Sequence, residues 1–141
     1  MKKAVLLAGL ITFTFSLSSC GVMFGGSHYD ANIKVAEHPN AQIYANGEKI
    51  GEGEVSKSFK RNKDLKIEVK QDGCEPKSQN FEKTFRTENF ILSVISWGLP
   101  GIIVDLASGA SYKPDHKHNN SVEKVSDKEY KFNIDYSECK L

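Results

Sequence analysis

Residues 130–136, Tyr-Lys-Phe-Asn-Ile-Asp-Tyr, alternate large apolar side chains (Tyr130, Phe132, Ile134, Tyr136) with polar ones (Lys131, Asn133, Asp135). Successive side chains of a strand point to opposite faces, so a period of two predicts a strand with one face buried and one in water. A helix would scatter the same four side chains around its circumference. The pattern recurs upstream. Leu65, Ile67 and Val69 alternate with Lys66, Glu68 and Lys70; Val55 and Phe59 flank Lys57 in the same parity; Ala41, Ile43 and Ala45 follow Ile33 and Val35. Phe81 and Phe85 mark a further strand. Asn46-Gly47 and Gln71-Asp72-Gly73 punctuate these runs, and Asn and Gly are the residues that accept the positive φ of a tight hairpin. Several short half-buried strands divided by turns predict a mainly β chain, a small antiparallel β-sandwich.

One segment breaks the alternation. From Asn89 to Tyr112 the chain reads NFILSVISWGLPGIIVDLASGASY, with Asp105 its one charged residue. Leu99-Pro100-Gly101 predicts the start of a short apolar helical crossover, with Pro100 tolerated in the first turn and Gly109 as the stop. Ile102, Ile103, Leu106 and Ala110 would share a face. Three roles compete: a crossover packed over the open face of the sandwich, a patch that docks another protein or the lipid surface, and a membrane span, which Pro100, the glycines and Asp105 interrupt. The candidate contact residues are Trp97, Leu99, Ile102, Ile103 and Asp105. Asp105 is either a recognition residue or a carboxylate held by backbone amides or a lysine, as burial would require.

The chain opens with Lys2 and Lys3, an apolar run from Ala4 to Phe15 and small residues before Cys20. This is the layout of a secretory signal peptide, residues 1–19, and the run is short of the roughly 20 residues a span needs. Leu17-Ser18-Ser19-Cys20 resembles the lipobox of bacterial lipoproteins. The resemblance implies cleavage before Cys20 and diacylglycerol on its thiol. Gly21 stands where an aspartate would retain such a protein at the inner membrane, which implies the outer membrane, facing the periplasm or the surface. Residues 20–31, rich in glycine and small polar residues, then form a flexible tether, and residues 32–141 the domain.

With Cys20 lipidated, Cys74 and Cys139 remain, an even number in an oxidising compartment. They are expected to pair; two separate thiols is the alternative.

The stretch from Ala41 to Cys74 resembles a PEGA domain, a small β-sandwich module of bacterial envelope proteins. The matching residues are Gln42-Ile43-Tyr44-Ala45, the turn Asn46-Gly47-Glu48-Lys49, Ile50-Gly51, and Leu65-Lys66-Ile67-Glu68-Val69 followed by Gly73. The Pro-Glu-Gly-Ala tetrapeptide is absent, and Cys74 stands where the family has tyrosine. Residues 101–113 are similar to a segment of small bacterial lipoproteins. The PEGA resemblance implies a non-enzymatic binding or spacer unit; the resemblance of residues 101–113 supports the lipoprotein reading and implies no activity.

Composition and chemistry point the same way. The 141 residues carry 19 basic and 18 acidic side chains; without Lys2 and Lys3 the balance is 17 to 18, which excludes the basic surface that nucleic acid selects. The basic run Lys57, Lys60, Arg61, Lys63 and Lys66 is read as a solvated edge. An enzyme needs a nucleophile with a base, a carboxylate pair or a metal cage. His28, His38, His116 and His118 form no such spacing. Asp115, His116 and His118 could meet a metal on an extended chain, but their lysine, proline and asparagine neighbours read as a polar connection. No catalytic residue, metal or cofactor is therefore expected. The expected partners are the membrane, through Cys20, and an envelope protein or peptidoglycan.

Overall fold

The computed structural model describes residues 26–140, and within its helix the side chains of residues 88–90, 92, 93, 96–98 and 101 fall outside the description. The expected signal peptide, Cys20 and residues 21–25 of the expected tether lie outside the described residues.

The period-two segments are strands. The first sheet joins β1 (His28–Val35), β4 (Glu54–Lys60), β9 (Val122–Lys124) and β10 (Glu129–Ile134) in the order β4-β1-β10-β9. The second joins β2 (Gln42–Ala45), β3 (Glu48–Glu52), β5 (Leu65–Lys70) and β6 (Lys77–Phe81) in the order β3-β2-β5-β6. Their inward residues form one core. Tyr29, Ala31, Ile33 and Val35 of β1 and Tyr130, Phe132 and Ile134 of β10 meet Ile43 and Ala45 of β2 and Leu65, Ile67 and Val69 of β5. Across it the rings of Phe81 and Phe132 pack edge-on, 5.0 Å between centroids. A fully buried side chain of this size contributes on the order of 2–3 kcal/mol through its apolar area alone.

The predicted hairpin is formed as read. Asn46 and Gly47 take φ of 51° and 88°, Ala45 pairs with Glu48 across them, and the Asn46 side-chain oxygen accepts the Lys66 N–H at 3.0 Å.

Three expectations need correction. The first strand begins at His28 and not near Asn32, because Tyr29 and Ala31 share the parity of Ile33 and Val35 and are buried with them. The sheets are also not wholly antiparallel, since β1 and β10 pair in parallel, Ala31 opposite Tyr130 and Ile33 opposite Phe132. Antiparallel neighbours follow from short hairpins; these two strands come from opposite ends of the domain, and a long crossover leaves them parallel.

The third correction concerns the apolar segment. It is a 22-residue helix, α1 (Thr87–Ser108), with Pro100 inside it and not in its first turn. Gly109 does end it, at φ 84°. The helix is rooted between two paired short strands, β7 (Lys83–Phe85) and β8 (Tyr112–Pro114), with Phe85 opposite Tyr112. The Arg86 N–H donates to the Ser111 carbonyl at 2.7 Å.

These links hold the Cα atoms of Thr87 and Ser108 within about 22 Å of each other, given 3.8 Å per residue step. A straight helix of this length would separate them by about 32 Å. The helix therefore folds back, its two halves meeting at no more than about a right angle. Gly98-Leu99-Pro100-Gly101 lies at its midpoint, where Pro100 supplies no N–H and crowds the carbonyl four residues earlier. The residues read as a helix start thus lie inside the helix, at the proline that weakens it.

Candidate functional site

The body of the domain leaves the described side chains of α1 largely uncovered. Ile95 and Leu99, near the turn, are each 77% exposed and Ile103 is 67% exposed; Ile91, Val94, Val104 and Leu106 are also exposed. Ile102 is half-buried, and the side chain of Trp97 falls outside the description. So the expected packed face of Ile102, Ile103, Leu106 and Ala110 does not form; of these only Ala110 is buried.

Asp105 has the opposite environment from its neighbours, at 1% exposure. It sits in the root of α1, where its carbonyl accepts from the Ser111 N–H at 3.4 Å and the Ser108 hydroxyl at 3.3 Å. Among the contact candidates Leu99 and Ile103 are free to meet a partner, while Asp105 belongs to the attachment of the helix. Gly109 closes the root: a Cβ there would lie 2.9 Å from the backbone nitrogen of Asn62, in a left-handed conformation that side chains resist.

A second correction falls on the basic run. Arg61 is 1% exposed and not on a solvated edge. Its Nε donates to the His28 carbonyl at 3.1 Å, one terminal nitrogen to the Tyr112 carbonyl at 3.4 Å, and the other to the Asp127 carbonyl. Its guanidinium lies 5.9 Å from the centre of the Tyr29 ring. Burial, followed by the nearby positive charge of Arg86, pushes the Arg61 pKa below its ordinary value; arginine still keeps its proton in any folded protein. One side chain thus ties together the first residue of β1, the strand that follows α1, and the loop before β10.

Truncating Arg61 removes these bonds and leaves buried carbonyls without donors, for which each charge-assisted bond is worth about 1.5–3 kcal/mol, not additively. Arg61→Ala is expected to lower unfolding free energy by roughly 3 kcal/mol, measured by urea titration; a change under about 0.5 kcal/mol, the range of ordinary surface substitutions, would contradict the role.

Cys74 and Cys139 are joined, with Cα atoms 5.3 Å apart at a sequence separation of 65. The bond ties the turn after β5 to the tail after β10, one sheet to the other. Nearby, the Tyr136 hydroxyl donates to the Glu75 carbonyl at 2.6 Å. Tyr136, read as the end of a strand, lies two residues past it and keeps its inward ring.

The described hollows do not gather a reaction centre. One of about 320 Å³ is lined by His28, Lys57, Lys60, Lys63 and Asp64 among others. Its carboxylates are engaged, Glu48 by Lys57 at 3.2 Å and Asp64 by Lys83 at 3.3 Å. Asp115 accepts from His118 at 3.0 Å, while the His116 ring nitrogen lies 3.3 Å from the Pro114 carbonyl. Partial burial raises the Asp115 pKa, but the bonds from His118 and from the backbone amides of Lys117 and His118 outweigh it and hold the carboxyl below its usual range. Among the described residues no three His, Cys, Asp or Glu side chains are placed to hold a metal ion. Nor is any helix there long and apolar enough to cross a membrane.

Compared with protein-family models, with curated proteins and with solved structures, the chain matches none.

Proposed function

We propose that the chain is a non-catalytic lipoprotein of the bacterial cell envelope, attached to the outer membrane through a diacylglyceryl Cys20, whose β-sandwich carries α1 as its binding element. One observation carries this reading: an apolar helix, without charge from Asn89 to Val104, stands on a cross-linked β body with Ile95, Leu99 and Ile103 open to whatever lies outside. Exposed apolar surface of this kind marks an interaction site. The lipobox-like Leu17-Ser18-Ser19-Cys20 supplies the address, and the strand, turn and strand from Gln42 to Val69 support a PEGA-like binding or spacer module.

The surface of α1 also narrows the partner. Peptidoglycan is a polar polymer and offers nothing to bury these side chains, so the occupant of α1 is apolar. A photo-crosslinking residue placed at Ile103 in intact cells is expected to capture an envelope component, lipid or protein, resolved by mass spectrometry. Recovery of the chain alone, with no adduct of either kind, would contradict a binding role for α1.

A further inference from the structure

We infer that the occupant of α1 is the hydrocarbon of the same membrane leaflet that holds Cys20, with the helix inserted as a folded-back wedge and not as a span. The inference rests on the reading of Cys20 as the lipidated residue and adds where the helix goes.

The root of α1 and the exit of the tether lie at one end of the molecule. Arg61 joins them directly: its backbone N–H donates to the Ser27 carbonyl at 2.9 Å, and its side chain bridges the His28 carbonyl to that of Tyr112, just past the helix. Gly109 packs on the neighbouring Asn62. From Cys20 to Ser27 the chain can reach no more than about 25 Å. A membrane that holds Cys20 is therefore within reach of α1.

The chemistry of the helix suits that neighbour. No charged residue occurs from Asn89 to Val104. A helix lying at the interface carries a charged face, and so does one that lays a stripe into a protein groove. The one acid of the segment, Asp105, is buried in the root, and the exposed Lys60 and Lys63 beside the tether exit carry the sign that anionic headgroups attract.

Length decides between a wedge and a span. Folded at Gly98–Gly101, each half of α1 is about 16 Å long, against about 15 Å for half of a 30 Å hydrocarbon core. The most exposed side chains, Ile95 and Leu99, flank the turn and would sit deepest.

Trp97 is the single tryptophan of the chain and adjoins the turn, so its fluorescence reports depth. The lipidated full-length mature protein is placed in phosphatidylethanolamine and phosphatidylglycerol vesicles whose acyl chains carry bromine at successive depths. Quenching strongest from bromines near the acyl ends, with protection from aqueous iodide, is the expected result. Leu99→Asp is expected to shift α1 toward solvent roughly a hundredfold, the effect of an acid placed within hydrocarbon, and so abolish that quenching while the protein stays lipid-anchored. Iodide quenching of the unsubstituted protein would overturn the inference. So would shielding from both quenchers, which would place α1 against protein, a second copy included. The full chain with Cys20→Ser, added to the same vesicles, separates the two readings: bromine quenching there supports insertion by α1 even if Cys20 proves to carry no lipid.

Discussion

Cells that make the Cys20→Ser protein are expected to accumulate the uncut precursor and no mature form. The thiolate is the nucleophile that takes up the diacylglyceryl group, and a serine hydroxyl, with its far higher pKa, does not replace it. If the lipobox resemblance holds, cleavage before residue 20 then fails. The effect is all or none, because the acyl chains supply about 0.8 kcal/mol for each buried methylene and nothing else in the tether substitutes for them. Size on a gel is the readout to use. Fractionation would mislead, since an uncut apolar N-terminus or α1 itself could still hold the variant on a membrane. A variant protein of the same mature size as the unsubstituted one would sink the assignment of Cys20.

Loss of the Cys74–Cys139 bond is the second large effect. It closes a loop of 65 residues, and the chain-entropy relation gives about 4 kcal/mol for a loop of that length. For a domain of this size that corresponds to a fall in Tm of roughly 15–20 °C. The Cys74→Ala, Cys139→Ala double variant should show it without the ambiguity of partial reduction. The inward residues of β10 remain packed between β1 and β9, so near-native circular dichroism at low temperature is expected beside the lowered Tm. A Tm within about 3 °C of the unsubstituted protein would mean that the bond does not restrain the unfolded chain as the relation requires.

The strands were readable because a half-buried strand writes its own period: Tyr130, Phe132 and Ile134 are all buried, and Lys131 and Asn133 between them are exposed. The start of β1 is harder to read: Tyr29 and Ala31 keep the parity of Ile33 and Val35, but the glycines just before them carry the composition of a tether. Other features depended on partners far away in sequence. The burial of Arg61 comes from carbonyls of residues 28, 112 and 127, and a basic residue among lysines carries no local sign of them. The fold-back of α1 follows from the pairing of β7 with β8 across the whole segment. Pro100, which removes one N–H from the helix, is the local sign of a weak point in it. The disulfide was legible by parity, since two cysteines in a compartment expected to be oxidising leave one pairing.

The proposed function rests on attachment of the chain to a membrane at Cys20. The most direct measurement is the intact mass and N-terminal fragment spectrum of the protein extracted from membranes. The account predicts a chain that starts at Cys20 and carries a diacylglyceryl thioether that survives reducing agent; a chain that starts elsewhere, or a Cys20 with a free thiol, would contradict it.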